Sequence, residues 1–456
     1  MRVLIAGGGQ VGALIAARLI REGNEVVVVE PDVARCAQLE SQLDARIVNG
    51  SAARVLTMRD AGVRDADMVI AVSDSDEVNL LACLIAQVDS DARVKIARLR
   101  THEVDHWRDV VARSGVRIDL VIHPETDIAE RVMRVVRVPG ASDIRDFADG
   151  AVRLFGTNVG PGHRLIGKSL EEIGREGAPA NSLVAMIFRG QHVVIPKGSE
   201  VIRDGDHLYV LTTRDHLDAN LAFFGLDTRT SLKRVFVLGG KQVGIRIAQL
   251  LEQQNVTVKL FEREEARARK IAGILRSSIV LNADGTDQRF LEEEGLHEAD
   301  AFLALTNEDE VNIIASLLAR RVGVKKVVAL INRLSYLPLV QRLGVNTTVS
   351  PRVATVDRIL QFVRKGRVLS VATFGEEEAE AIELIAAEGS KYVGRRLRDV
   401  RFPAGAIVGA IVRPSGEVVV PRGNERIEVG DRTIFFALET VVPTLEAAFL
   451  TGRDRR

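Results

Sequence analysis

The sequence predicts an α/β protein built from two doubly wound parallel sheets, each followed by a small α+β lobe. Three observations lead there. The chain contains itself twice: residues 1–20 align without gaps to 233–252 with 10 of 20 identical, and 66–87 align to 299–320 with 10 of 22 identical. Each copy opens with short β-branched runs that alternate with helical patterns. Each copy closes with a strand-rich stretch punctuated by Gly-Asp turns. A repeat this long signals duplicated domains, not a solenoid.

In the first copy the runs Val3–Ala6, Val26–Glu30, Arg46–Asn49, Met68–Val72, Val94–Ala97 and Leu120–Ile122 read as parallel strands joined by helices. An amphipathic stretch, Glu125–Val138, then ends at Pro139-Gly140 and leads out of the sheet. The second copy repeats this layout, with a helix from Pro351 through Val363. The lobes read VVIPKGSEVIRDGDHLYV (193–210) and VVVPRGNERIEVGDRTIF (418–435). In them Pro196/Pro421, Gly198/Gly423 and Asp206/Asp431 fall at turn positions that favour unusual backbone angles. The resulting boundaries are 1–140, 141–226, 227–364 and 365–456.

Composition narrows the function. Lysine plus arginine number 62 and aspartate plus glutamate 62. The net charge of zero removes the usual electrostatic case for nucleic-acid binding or adhesion to anionic lipid. No apolar run reaches the ~18–20 residues of a membrane helix. Two cysteines, Cys36 and Cys83, exclude a disulfide framework and a zinc ribbon, which fits a reducing cytoplasm.

Chemistry concentrates at the first strand–helix turn. Gly7-Gly8-Gly9-Gln10-Val11-Gly12 satisfies G-x-G-x-x-G, and Glu30 ends the second strand. Gly7 allows the tight turn, Gly9 lets backbone approach a pyrophosphate, and Gly12 lets helix pack on sheet. Glu30 can accept from both hydroxyls of an adenosine ribose and repels a 2′-phosphate. This Rossmann-like pattern predicts NAD(H) or an adenine nucleotide such as ATP or ADP. Further candidates lie at strand ends: Gly50-Ser51, read as matching Gly285-Thr286; Ser73-Asp74, matching Thr306-Asn307; and Arg100, matching Arg333, with Arg98 nearby. The second turn, Gly239-Gly240-Lys241-Gln242-Val243-Gly244 with Glu262, puts lysine where the middle glycine belongs. Lys241 crowds a dinucleotide there, leaving a short nucleotide or a vacant pocket.

Two other patterns are read as surface. His102-Glu103-Val104-Asp105-His106 matches HExxH, but Val104, Trp107 and Val111 form the apolar stripe and place both histidines on the opposite face. The acidic run Glu376–Glu378 reads as a solvated loop. The lobes offer no repeated acid or base beside a nicotinamide, so no enzymatic activity is expected.

The paired GGGQVG and GGKQVG turns, the paired ADMVIAVSDSDEVN and ADAFLALTNEDEVN segments and the Gly-Asp lobes together resemble the peripheral subunits of Trk-type potassium-uptake systems. These have tandem RCK architecture, and the likeness covers essentially the entire chain. It implies a cytoplasmic regulatory ring of four chains, a tetramer, peripheral on the membrane and attached to a potassium channel subunit of the TrkH/KtrB type. The remaining readings are a cytosolic NAD-dependent oxidoreductase and a nucleotide-sensing regulator of another transporter.

Overall fold

The computed structural model describes residues 1–90, 92–100, 115, 117–138, 141–190, 192–226, 232–345, 347–363, 368–374 and 379–449. The HExxH segment and Glu376–Glu378 lie outside these.

Six parallel strands form the first sheet: β1 (Arg2–Ala6), β2 (Glu25–Glu30), β3 (Arg46–Asn49), β4 (Met68–Ala71), β5 (Val94–Arg98) and β6 (Leu120–Ile122). Their spatial order is β3-β2-β1-β4-β5-β6. The order reverses between β1 and β4, which opens a crevice at the carboxyl ends of those strands. The runs Val3–Ala6 and Val26–Val29 are buried on both faces, as strands covered by helices on either side must be.

The first lobe is an antiparallel sheet of β7 (Ile144–Phe147), β8 (Val152–Asn158), β9 (Ser182–Arg189), β10 (His192–Val194) and β11 (His207–Thr213), ordered β10-β9-β11-β8-β7. The second parallel sheet comprises β12 (Arg234–Leu238), β13 (Thr257–Glu262), β14 (Ile279–Asn282), β15 (Ala301–Ala304), β16 (Lys326–Leu330) and β17 (Thr348–Val349). It repeats the first topology, β14-β13-β12-β15-β16-β17. The second lobe is β18 (Val368–Phe374), β19 (Ala379–Ile385), β20 (Ala406–Val412), β21 (Val418–Val419) and β22 (Arg432–Leu438), ordered β18-β19-β22-β20-β21.

Two compact units emerge: Met1–Ile128 with Pro351–Val363, and Ala129–Ser350 with the chain from Arg364 onward. In the first, the helix Pro351–Val363, which follows the second parallel sheet in sequence, packs on the first. Val356, Ile359 and Leu360 join Val11, Ile15 and Leu19 of the helix Gln10–Arg21 in one core. In the second unit the two antiparallel sheets share a hydrophobic layer, with Phe147, Leu154 and Leu211 against Phe374, Ile434 and Phe436.

The Gly-Asp pairs divide their labour. Gly205 and Gly430 take the left-handed backbone (φ 80° and 88°). Asp206 and Asp431 do not, contrary to the expectation that they also supply unusual angles. Each is instead a fully buried counterion: Asp206 chelates Arg189 at 2.8 and 2.9 Å and accepts from the Arg203 amide, while Asp431 pairs with Arg413 at 2.5 Å and accepts from the Glu428 amide.

Also in the second unit, buried Lys326 on β16 donates to the Ala141 carbonyl just before β7. Asp143 beside it is committed to Arg131 at 3.3 Å and Arg145 at 3.0 Å.

Candidate nucleotide-binding site

The turn after β1 is built by three glycines with different tasks. Gly7 adopts φ 109°, and a Cβ there would lie 2.7 Å from the Ser73 backbone. Its amide donates to the Val29 carbonyl at 2.9 Å. A Cβ on Gly12 would lie 1.9 Å from the Gly7 carbonyl oxygen, so helix and turn touch there. Gly9 is the N-cap of the helix Gln10–Arg21; a Cβ on it meets nothing within 4 Å, and no side chain caps the helix. The turn therefore presents an uncapped helix N-terminus to open space, the arrangement that attracts a phosphate. Gln10 and Val11 open that helix.

Glu30, expected from sequence to accept from a ribose, is bonded into the turn itself. Its Oε2 accepts from the Gly8 amide at 2.7 Å and its Oε1 from the Asp32 amide at 3.0 Å. The carboxylate fixes the glycine turn on one side and the start of the helix Val33–Gln42 on the other. Two acceptances leave lone pairs over, since an ionised carboxylate offers about four sites. Arg35 closes the same corner, donating from Nε to the Gly8 carbonyl at 2.9 Å.

Gly50 holds φ 152° and donates to the Glu30 carbonyl at 3.0 Å; Ser51 follows it, its Oγ accepting from the Ala53 amide. After β4, the Ser73 amide and hydroxyl both meet Asn79 Oδ1 at 2.8 Å. The Asn79 amide group donates to the Ser73 carbonyl at 3.0 Å and the Arg98 carbonyl at 2.8 Å. Asn79, 1% exposed, thus ties the β4 turn to β5. Sequence reasoning passed over it, although it is the asparagine of the repeated DEVN.

The two arginines converge on one carboxylate. Arg98 donates to the Ser73 carbonyl at 2.8 Å and to Asp74 at 2.9 Å, and Arg100 reaches the same Asp74 oxygen at 3.1 Å. The Asp74 side chain is 85% exposed, whereas that of Arg98 is 6% exposed. Burial, then the neighbouring Arg100 charge, lowers the Arg98 pKa. Burial raises that of Glu125, with the charges of Arg100 and Arg98 opposing. A half-buried pair of cations held by an exposed, displaceable carboxylate is suited to a second anion.

The second crevice reproduces the frame. Gly239 (φ 108°) donates to the Phe261 carbonyl at 2.9 Å, and Gly244 has no room for a Cβ, 1.9 Å from the Gly239 oxygen. Glu262 accepts from the Gly240 and Glu264 amides, both at 2.9 Å. Thr306 and buried Asn312 repeat the Ser73–Asn79 bonds at 2.7 to 2.9 Å. Lys241, exposed, stands at the N-cap of the helix that Gln242 and Val243 open.

Two pairings read from sequence shift. The amide that meets the Glu262 carbonyl, as Gly50 meets Glu30, belongs to Ala283. Gly285 and Thr286 therefore correspond to Ala52 and Ala53, and the Thr286 hydroxyl is spent on Asp284 at 2.8 Å. At β16, Asn312 bonds the Leu330 carbonyl as Asn79 bonds that of Arg98. Leu330 and Asn332 thus occupy the places of Arg98 and Arg100. Arg333 turns to Tyr336 at 2.7 Å and Glu310 at 3.3 Å. The arginine pair belongs to the first crevice alone.

Residues 3–124 and 235–351 match the TrkA-N domain, and 156–225 and 381–450 the TrkA-C domain. The Trk system potassium uptake protein TrkA of Halomonas elongata is 36% identical over 442 residues, 96% of each chain. The chain belongs to the TrkA family. The TrkA protein of Vibrio alginolyticus is 34% identical over 98% of both chains. TrkA homolog 1 of Methanosarcina mazei is 33% identical, covering 98% of this chain and all of that one. The RCK domain of GsuK shares the fold at TM-score 0.60 and 19% identity, over 98% of this chain and 94% of that one. Among the described residues no helix is long and apolar enough to cross a membrane, and no group of histidine, cysteine and carboxylate side chains is placed to hold a metal.

Proposed function

We propose that the chain is the nucleotide-sensing regulatory subunit of a Trk-type potassium-uptake system. On this reading it is a non-enzymatic cytoplasmic protein that forms a ring of four chains and docks on a membrane subunit of the TrkH/KtrB type. The observation that carries it is the uncapped glycine turn with its Glu30 clasp, retained in a chain related over its whole length to potassium-uptake proteins. GsuK, whose fold this chain shares, has been seen as a channel bound to NAD and also bound to ADP.

In the first crevice, Gly7 to Gly12 would hold the phosphates on backbone amides, and Glu30 would accept from a ribose on its remaining lone pairs. Arg98 and Arg100 would take a phosphate in exchange for Asp74, while Gly50, Ser51 and Ser73 line the strand ends. Arg98 ends β5, and Glu125, whose charge couples to both arginines, opens the helix Pro124–Val136, so an anion that displaces Asp74 would change the charge at the root of the segment leading into the first lobe. That is a route from nucleotide to lobe movement.

The experiment is complementation. Cells lacking their own subunit should regain potassium uptake with the full chain and lose it with Glu30→Ala plus Gly9→Ala. Affinity-tagged chain should retain adenine nucleotide through native purification and bring down a TrkH/KtrB-type subunit. Nucleotide-free protein that restores no uptake and captures no such subunit would sink the reading.

A further inference from the structure

The chain's net charge of zero conceals a local concentration of arginine on the second lobe. Residues 391–401 carry Lys391, Arg395, Arg396, Arg398 and Arg401 against Asp399 alone. This segment runs beside 422–427: Val393 bridges to Ile427 and Arg396 to Arg426, and the Arg398 amide donates to the Gly423 carbonyl at 2.9 Å. The pairing brings Arg422 and Arg426 to the same edge, and all six arginines are exposed.

Little acid answers them. Asp399 stands 3.8 Å from Arg398, Glu425 is turned to the Arg422 amide at 2.7 Å, and Glu428 faces Arg413. Among the described residues Arg426 donates only to the Gly394 carbonyl, at 3.2 Å. Arg395, Arg396, Arg401 and Arg422 form no ion pair among the described residues.

The first lobe shows that the fold does not require this. There the Gly167 amide meets the Ile202 carbonyl and the Glu171 amide that of Gly198, as Gly394 meets Ile427 and Arg398 meets Gly423. On that register the six arginine positions are held by Lys168, Ser169, Glu171, Gly174, Lys197 and Val201. Guanidinium is planar, weakly hydrated and matched to phosphate in a bidentate fork. Six forks along two paired segments make a row, suited to a plane of repeated phosphates more than to a single small anion.

We propose that this edge of the second lobe is a docking surface for anionic phospholipid headgroups. It would hold the protein at the membrane by a contact separate from any protein subunit there, and it stands whether or not the potassium-uptake reading does. The expectation of no lipid adhesion, drawn from net charge, averaged this edge away.

The test is co-sedimentation of the full chain with vesicles of phosphatidylglycerol and phosphatidylethanolamine, against vesicles of phosphatidylcholine. Binding is expected only to the anionic vesicles, weakening steeply with salt. The quadruple variant Arg395→Gln/Arg396→Gln/Arg422→Gln/Arg426→Gln should bind at least about tenfold more weakly. Arg269→Gln/Arg289→Gln, which removes exposed arginines of the second parallel-sheet domain, should bind as the parent does. If the quadruple variant fails to keep the parent's melting temperature, Arg395→Gln/Arg396→Gln replaces it, with a smaller loss expected. Equal binding to phosphatidylcholine, or variants that bind undiminished, would overturn the proposal. So would binding of inorganic phosphate, ATP or polyglutamate at this edge by a chain that ignores anionic vesicles.

Discussion

At the scale of single residues, the glycines of one turn separate folding from binding. Gly12 has backbone oxygen 1.9 Å from where a Cβ would sit, and Gly9 has empty space. Gly12→Ala must push helix from strand and should cost about 1–3 kcal/mol, as overpacking does. Gly9→Ala should leave the melting curve nearly unchanged while weakening adenine-nucleotide binding about tenfold or more, because its methyl enters the space a pyrophosphate would use. Melting curves and calorimetry on both variants check this; a Gly9→Ala chain that binds undiminished would place the phosphates elsewhere. Lys326 offers a pH test. Burial pushes its ammonium down to about 7, with the Asp143 charge opposing, against ~10.4 in an unfolded chain. Between those values the unfolded chain holds a proton that the folded chain gives up, so stability falls as pH drops through that window. Lys326→Met removes the penalty. It should melt higher than the parent at pH 7, and the gap should close as pH rises toward about 10. A gap that does not change with pH would refute the assignment.

At the scale of elements, β-branched runs predicted every strand of the first sheet to within one or two residues, since parallel strands buried on both faces announce themselves. The glycine turns and the acidic ends of β2 and β13 were equally legible, because the chemistry needs those residue types in that order. Asn79 and Asn312 were in view as part of a repeat, yet a buried asparagine's task shows only once its four bonds are seen. The slip at Arg333 has a plain cause: one residue fewer before β16 moves the alignment without moving the frame. At Gly285 the frame is unbroken, and a Gly-Thr pair two residues further along drew the match to Gly50-Ser51. The helix Pro351–Val363 was read correctly as a helix, but amphipathicity tells which face is buried, not which sheet it covers. Its packing gives a prediction. Ile359→Ala and Leu360→Ala, both at buried positions of the first unit's core, should each cost about 2–5 kcal/mol. Hydrogen exchange should then rise in the helix Gln10–Arg21, far away in sequence. If protection is lost only near residue 359 itself, the helix does not support the first sheet.

At the scale of the whole molecule, the duplication has kept the frame and let the charges drift. Both crevices retain the glycine turn, the carboxylate clasp and the asparagine staple. They differ in what an anion would meet. The first presents Gly9 at the helix N-cap, with Arg98 and Arg100 at the far strand end. The second presents Lys241 at the N-cap, with Leu330 and Asn332 where those arginines would be. A dinucleotide needs close backbone approach in the middle of the turn, where lysine brings a Cβ and a long stem. A short nucleotide needs charge near its terminal phosphate, and the lysine ammonium can supply that as a point charge. We therefore expect calorimetry of the full chain with NADH to resolve one tight site, abolished by Gly9→Ala with Glu30→Ala. Titration with ADP or ATP should resolve a second site that Lys241→Gly weakens about tenfold, the usual scale for a charged hydrogen bond. Lys241→Gly should at the same time admit NADH to the second crevice, since it restores the fingerprint without touching Glu262. Two equal NADH sites in the parent, both indifferent to Lys241→Gly, would mean that the lysine swings clear and that the crevices, despite their different charges, bind alike.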